Sequence, residues 1–468
     1  MRPKKAPNTE TLVSVLTRKV VGQPAAIKVI VPYIEMAQAG LAPSGRPIGV
    51  FLLLGPTGTG KTRTVEVLAG ALHGSEKSFV RIDCGEFQME HEVAKLIGAP
   101  PGYLGHRETT PVLTQQSLRA VTSPGSDVAI VLFDEIEKAA PSMTRLLLGV
   151  LDRATLRLGD NSMVDFEKAL IFLTSNLGAR EMMKELDPRF GFAASTPRER
   201  REISSKLEAI ALGSVRRRFS PEFVNRVDAV ITYQPLDEVS LEAILNHQIF
   251  ELQQHVHTRL GSRCFEIEVT PAARRLFLDR GTSVEYGARE LKRVIHRNLM
   301  QPLAAKVARG EIEPRSRVVV EKSESSDDLI IRSTGRVDVP ALKLSVLLVD
   351  DNRELTQFLE NWMIGAEWKV FVAENGEQAR EAYNREKPKV LMVDSMLSDG
   401  DGMELAMYFR RRNAKILILL MADEDLDAEE RAMCQALDII ILRKPFLASY
   451  IMGLIRNRFQ PMSNAAKA

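Results

Sequence analysis

A chain of 468 residues is too long for one ordinary domain and implies about two to four. Its hydrophobic fraction of 45% is enough for packed cores, and a net charge of +2 excludes a strong general attraction to polyanions. The three cysteines, Cys84, Cys264 and Cys434, lie far apart with no C-x-x-C pair, which argues against a disulfide framework or a zinc site and fits a reducing compartment.

Met1 to Asn8 is basic but no apolar stretch follows, so it does not read as a signal peptide. No apolar run is long enough to span a bilayer, and the expected setting is cytoplasmic, with no membrane or nucleic-acid partner. Residues 1–18 read as a lead-in containing an amphipathic helix. From Val20 to about Tyr233 short apolar strands alternate with helices; the strand candidates are Gly49–Leu54, Phe79–Asp83, Ala129–Asp134 and Ala169–Thr174. That alternation predicts an α/β domain over 19–235 with a buried parallel sheet. The run Arg216-Arg217-Arg218 reads as a solvated helix face.

Helical periodicity dominates from Leu236 to about Arg309, and Val318–Val320 and Leu329–Ile331 read as short closing strands of a second domain, 236–332. The polar stretch Glu321–Asp328 reads as a turn or loop, and 333–342 as a linker. A further α/β pattern fills 343–460, ahead of a short tail, 461–468. Its strands at Ser345–Val349, Lys369–Val372, Val390–Val393, Ile416–Leu420 and Ile439–Leu442 predict a doubly wound, flavodoxin-like sheet.

Gly55-Pro56-Thr57-Gly58-Thr59-Gly60-Lys61-Thr62 fits G-x-x-x-x-G-K-[ST] between the apolar strand Val50–Leu54 and a helix over Arg63–Leu72. The glycines let backbone N–H groups wrap phosphates, and the helix N-terminus adds positive potential. Lys61 is expected to reach the β- and γ-phosphates of ATP, and Thr62 to hold Mg²⁺. Ile130–Phe133 then leads into Asp134-Glu135, a carboxylate pair at a buried strand end. Asp134 is expected on the metal and Glu135 as activator of the attacking water. An acidic helix N-terminus also favours these residue types; the P-loop upstream decides between the two.

Several further motifs occur in order: Lys19-Val20-Val21-Gly22-Gln23, Arg81-Ile-Asp-Cys-Gly-Glu86-Phe87, Leu96-Ile-Gly-Ala-Pro-Pro-Gly-Tyr103-Leu104-Gly105 and Asp134-Glu-Ile-Glu-Lys-Ala139. Thr174-Ser-Asn176-Leu-Gly, Phe219-Ser-Pro-Glu-Phe-Val-Asn-Arg226-Val-Asp228 and Tyr286-Gly-Ala-Arg289 complete the set. With the P-loop, they make roughly Val20 to Val320 resemble the second ATPase module of the Clp unfoldases, a P-loop AAA+ domain with a small helical lid. The resemblance implies that Val20 and Val21 line the adenine pocket and that Asn176 is sensor 1. It also implies that Arg226 is an arginine finger reaching a neighbouring subunit's site and that Arg289 is sensor 2 on the lid. Arginine suits both roles as a permanently charged, planar fork of donors. A finger supplied in trans implies a ring, a homohexamer in this family.

Tyr103 and Leu104, flanked by glycines, resemble the family's pore loop, whose tyrosine grips extended polypeptide; a tyrosine capping a turn is the alternative. Here His106-Arg107-Glu108-Thr109-Thr110 follows in place of the usual acidic residues and glycines. Phe190-Gly191-Phe192 lies where peptidase-partnered members carry a docking loop, but Phe190 replaces the usual aliphatic residue, which favours an ordinary packed loop over a peptidase-ring contact. No adaptor domain and no first ATPase ring precede Val20, so a double-ring disaggregase is not expected.

Leu347-Leu-Val-Asp350-Asp351-Asn352 and Val390-Leu-Met-Val-Asp394 place three carboxylates at strand ends, where such sheets bind ligands and where oxygen ligands suit Mg²⁺. With Lys444 before Pro445, residues 343 to about 458 resemble a response-regulator receiver. The resemblance implies Asp394 as phosphoacceptor, Asp350 and Asp351 with it as metal ligands, Lys444 on the phosphoryl oxygens, and a sensor kinase as partner. Met421 stands where the family has its switch hydroxyl and Ile441 where it has its switch aromatic. Methionine cannot hydrogen-bond a phosphoryl oxygen, so altered switching or constitutive docking is expected.

Three functions follow. The first is an ATP-driven unfoldase pulling polypeptide substrates through a ring under receiver control. The second is a signalling ATPase that remodels one dedicated folded partner without threading it. The third, an enhancer-type transcription activator, is disfavoured because the receiver comes last with no DNA-binding helix pair after it.

Overall fold

The computed structural model describes residues 9–98, 111–185, 197–260, 264–282, 287–314, 316–323, 326–336, 344–364, 368–422, 426–444, 446 and 448–459. Contacts divide the chain into two compact units, Met1–Ala243 with Gly281–Leu291, and Ile244–Arg280 with Lys292–Ala468.

The first unit is built on strands β1 (Gly49–Leu54), β2 (Val80–Asp83), β3 (Ala129–Asp134), β6 (Ala169–Ser175) and β7 (Ala229–Thr232), in the parallel order β2-β3-β6-β1-β7. Every residue of β1, β3 and β6 is buried, as expected for strands covered on both faces. A hairpin, β4 (Thr155–Arg157) with β5 (Met163–Asp165), follows the helix Pro141–Arg153. Register aligns Asp83 with Asp134, Phe133 with Leu173 and Leu54 with Ser175. The polar residues after these apolar runs therefore emerge together at one sheet edge. The lead-in helix, Thr9–Lys19, is part of this core: Leu12 and Leu16 are each 1% exposed and join the cluster containing Val65, Leu68 and Phe51.

In the second unit β8 (Glu266–Val269), β9 (Ser316–Lys322) and β10 (Leu329–Arg336) form a sheet in the order β10-β9-β8. Two sequence readings are corrected here. The helical stretch contains β8, whose Glu266, Ile267 and Val269 are buried. The linker reading fails at its start: Ser333, Thr334 and Arg336 pair with Val318, Arg317 and Ser316 of β9, across a bulge. A polar, glycine-containing run continues as strand because its neighbour supplies the backbone partners.

The same unit holds β11 (Ser345–Val349), β12 (Lys369–Ala373), β13 (Val390–Asp394), β16 (Leu417–Ala422) and β17 (Ile439–Arg443), parallel in the order β12-β11-β13-β16-β17. A two-residue ribbon, β14 (Met396–Leu397) with β15 (Gly400–Asp401), leads from β13 into the helix Gly402–Arg412. Phe250, on the helix Glu238–Leu260, packs against the core cluster that contains Leu355, Met421 and Ile451. No described helix is long and apolar enough to cross a membrane.

Candidate functional site

The P-loop runs from the end of β1 to the helix Lys61–His73, and Gly55, Gly58 and Gly60 all have positive φ (145°, 77° and 103°). At Gly55 a Cβ would stand 2.6 Å from the carbonyl oxygen of Tyr233, so no larger residue fits. Tyr233 is fully buried and donates through its hydroxyl to Thr64 Oγ1 at 2.7 Å, fixing the loop's helix against β7. Gly60 caps that helix without a side chain, so no capping oxygen occupies the N–H groups of its first turn.

Lys61, 8% exposed, donates to Gly55 O at 2.7 Å, Pro56 O at 2.8 Å and Asn176 Oδ1 at 2.9 Å. Burial lowers its pKa from 10.5 to about 8, with the Arg289 charge pushing the same way and Glu137 opposing. Asn176, directly after β6, extends Nδ2 toward Glu135 Oε1 at 3.4 Å, and its backbone N–H donates to Glu137 Oε1 at 3.0 Å. Lys61, Asn176 and Glu135 are thus one connected group.

Asp134 ends β3 and is 8% exposed; Thr174 donates to its Oδ1 at 2.5 Å and Arg81 to its Oδ2 at 2.6 Å. Glu135 is left-handed (φ 56°, ψ 50°), a conformation that costs a residue of this kind about 1–3 kcal/mol and points to function. Its N–H donates to Thr174 Oγ1 at 3.0 Å, and its carboxylate pairs with Lys138. That pairing raises the Lys138 pKa.

Gln23, 4% exposed, donates through Nε2 to Thr59 O at 3.1 Å and to Gln234 O at 2.8 Å, tying the segment after Val20 and Val21 to the P-loop. Val20 itself is buried in the core cluster and Val21 is half-buried. On the opposite side Ala288 N–H donates to Gly58 O at 3.2 Å, and a Cβ on Gly287 (φ 51°) would lie 3.0 Å from the carbonyl oxygens of both Thr57 and Gly58. The start of the helix Ala288–Ile295 therefore sits on the P-loop and carries the exposed Arg289 beside it.

Arg226 follows the short helix Pro221–Val224. Its Nη1 donates to Glu222 O at 2.9 Å and its Nε stands 3.4 Å from Asp152 Oδ1. Among the described residues these are its partners, and the P-loop of its own chain is not. Tyr103, Leu104 and Phe190–Phe192 lie outside the described residues.

In the receiver-like sheet, Asp350, Asp351 and Asp394 bring one oxygen each within 4.8 Å of one another. Asp350 and Asp394 are 1% exposed. Lys444 Nζ bridges them, 2.9 Å from Asp350 Oδ2 and 3.0 Å from Asp394 Oδ2. Met421 aligns with Asp394 across β13 and β16, is fully buried, and accepts the Ser395 N–H through its carbonyl at 2.8 Å.

These donor sets suit the groups they imply. Thr62 and Asp134 offer hard oxygens beside a lysine and a helix start, which is chemistry for a Mg²⁺-bound nucleoside triphosphate. The three receiver carboxylates with one lysine suit a divalent cation and a phosphoryl group. The sequence reading assigned no role to Gln23, Arg81, Lys138, Thr174 or Tyr233. Gln23, Arg81, Lys138 and Thr174 belong to quoted motifs, which was the available signal; Tyr233 closed the alternating stretch without being singled out.

Comparison with known proteins agrees with this geometry. The family model described as AAA domain (Cdc48 subfamily) matches residues 46–230, and that of the C-terminal, D2-small domain of ClpB protein matches 236–320. The response regulator receiver domain matches 346–456. Heat shock protein 104 of Schizosaccharomyces pombe is 36% identical over 312 residues, 66% of this chain and 32% of that protein. Chaperone protein ClpB of Meiothermus ruber is 40% identical over 297 residues, 64% of this chain and 32% of that protein. The chain thus spans about a third of the length of these relatives. Among solved structures, a closed-state cryo-EM reconstruction of Hsp104 with ATPγS and FITC-casein has a TM-score of 0.58 at 26% identity, covering 69% of this chain and 51% of that one. The extended Saccharomyces cerevisiae Hsp104–casein complex has a TM-score of 0.59 at 26% identity, covering 71% and 53%.

Proposed function

The chain belongs to the AAA+ ATPases of the Clp family and carries a response-regulator receiver domain, and from this we propose that it hydrolyses ATP in a ring of like subunits to remodel protein clients under receiver control. One observation carries the reading: the Lys61–Asn176–Glu135 group stands beside Asp134 at the end of a buried parallel sheet.

In this reading the P-loop N–H groups and Lys61 bind the triphosphate, while Thr62 and Asp134 hold Mg²⁺. When bound, the ion neutralises phosphate charge and polarises the reacting group. Glu135 takes the proton of the attacking water, and Asn176 orients that water and couples Glu135 to Lys61. Arg289, beside the P-loop at the start of the helix Ala288–Ile295, serves as sensor 2. Arg226 acts on the next subunit's site, in keeping with partners that lie away from its own P-loop. Tyr103 and Leu104 would line the pore and grip extended polypeptide. The Hsp104–casein structures above are complexes with a polypeptide, and the likeness to them supports this choice over a transcription activator.

Asp350, Asp351, Asp394 and Lys444 form the receiver pocket, with Asp394 as phosphoacceptor for a sensor kinase. The packing of Phe250, a lid-helix residue, against the receiver's core cluster supports the lid as the element the receiver acts on. The second reading, one dedicated folded partner remodelled without threading, is favoured by the His106–Thr110 sequence after the pore tyrosine.

A client trap tests the proposal. Glu135→Gln in the full chain is expected to bind ATP, hydrolyse it slowly and co-purify clients from cells. Clients lost on adding Tyr103→Ala support threading; a single folded partner retained in both would favour the second reading.

A further inference from the structure

Arg216, Arg217 and Arg218 end the long helix Pro197–Arg218, and the sequence alone makes them a solvated face. All three are exposed, as that reading has it, but the structure separates their partners. Arg217 Nη2 donates to Ser214 Oγ at 2.8 Å within its own helix. Arg218 reaches a turn some 80 residues earlier: Nε and Nη2 donate to Glu137 O at 3.1 and 2.7 Å, and Nη2 also to Ala139 O at 3.3 Å.

That turn, the 3₁₀ segment Ile136–Lys138, directly follows Glu135. In this turn Glu135 O accepts the Lys138 N–H at 2.9 Å and Ile136 O the Ala139 N–H at 3.2 Å. The guanidinium of Arg218 meets the carbonyls of Glu137 and Ala139 at once. The same Glu137 receives the Asn176 N–H on its side chain. Glu137 is therefore held from two sides, by sensor 1 and by Arg218, next to a residue kept in a left-handed conformation.

We propose that Arg218 is a positioning residue for ATP hydrolysis: by gripping Glu137 O and Ala139 O it fixes the turn that aims the Glu135 carboxylate. It touches no reacting atom, and the proposal rests on the reading of Glu135 as general base. A planar fork with several fixed donors suits two adjacent carbonyls; a lysine ammonium on its flexible stem is a poorer match. Because misplacing a base by about 1 Å is enough to cost rate, the effect belongs in kcat and not in nucleotide binding.

Arg218 also lines a solvent-open groove of about 440 Å³ with Asn176, Gly178, Arg180 and Arg217, which gives a small cation a route to the vacated position after truncation. The test compares wild type, Glu135→Gln, Arg218→Ala and Arg218→Lys in steady-state ATP turnover and thermal melting, with and without non-denaturing guanidinium. Arg218→Ala should lower kcat roughly tenfold or more while the KM for ATP stays within about twofold. Guanidinium should restore part of the rate, and Arg218→Lys should fall between. An unchanged kcat would overturn the proposal. So would a loss of rate that follows a loss of folded protein and is not rescued, which is the signature of a structural strut. If Arg218→Ala does not fold, Arg218→Lys carries the same comparison. Wild-type turnover in Glu135→Gln would instead defeat the general-base reading, and absence of turnover in wild type the ATPase reading itself, so these failures are distinct from that of the proposal.

Discussion

Lys61 and Asn176 are joined by a 2.9 Å hydrogen bond, Lys61 Nζ donating to Asn176 Oδ1, so the residue meant for phosphate and the residue meant for water share one bond across two strands. The lysine is also buried, with its pKa lowered to about 8 by that burial. The sign of the pH effect follows. Between pH 8 and 10.5 the unfolded chain holds a proton on Lys61 that the folded chain has released, so this group makes folding more favourable as pH rises through that window. Below pH 8 it is charged in both states and its burial penalty is complete. Lys61→Met should therefore melt higher than wild type at pH 7 without nucleotide, with the gap closing as pH approaches 10.5.

Nucleotide binding should show the complementary dependence. Triphosphate favours the charged lysine, so ATP affinity should fall above about pH 8, by at most about tenfold per pH unit. Lys61→Arg, which keeps its charge, should bind with a flatter profile, measured by isothermal titration across that range.

Glu135→Gln should lower ATP turnover by roughly 10²–10⁴-fold with little change in ATP affinity, since the amide keeps the shape but cannot take a proton. Arg226→Ala should be as inactive, about 10³-fold or more. If the finger acts in trans, mixing Arg226→Ala with Glu135→Gln subunits should restore activity, because some interfaces then pair an intact finger with an intact base. No recovery on mixing would place the arginine's effect within its own subunit.

Gly287→Val should weaken ATP binding. The position has φ 51° and its Cβ would lie 3.0 Å from two P-loop carbonyl oxygens, so a branched side chain would push the Arg289 helix off the loop. The left-handed conformation itself should cost about 1–2 kcal/mol. Nucleotide titration and thermal melting separate the two effects.

Met421→Thr should give the receiver a phosphoryl-responsive hydroxyl. The chain's two tryptophans, Trp362 and Trp368, both lie in the receiver, so intrinsic fluorescence reports on that domain. An acyl-phosphate donor with Mg²⁺ should produce a larger fluorescence and ATPase response in the variant than in wild type. Because Met421 is fully buried, the substitution should also cost about 1–3 kcal/mol of receiver stability.

The mostly apolar strands were legible in the sequence, because strands covered on both faces read as near-continuous apolar runs: β1 and β3 span Gly49–Leu54 and Ala129–Asp134, as their runs predict. The β8 strand was not, since four residues alternating Glu with Ile and Val carry little signal between long helices. Nor was the continuation of β10 through Ser333 and Thr334, which depends on backbone partners in β9 and on no property of those side chains. At the candidate site, motif order gave Lys61, Asp134, Glu135 and Asn176, and strand order gathers them. Arg81 was signalled by its motif and not by its partner, and the contact of Arg218 with Glu137 carried no signal at all, because each contact exists only once distant segments are packed together.

Whether hydrolysis at Glu135 drives work on polypeptide held by Tyr103 is decided by ATP-dependent unfolding of a stable fluorescent protein bearing an unstructured tail. Tyr103→Ala should keep ATP turnover within about twofold of wild type and lose unfolding. Unfolding at the wild-type rate in Tyr103→Ala, or in Glu135→Gln, would rule out pore threading driven by Glu135.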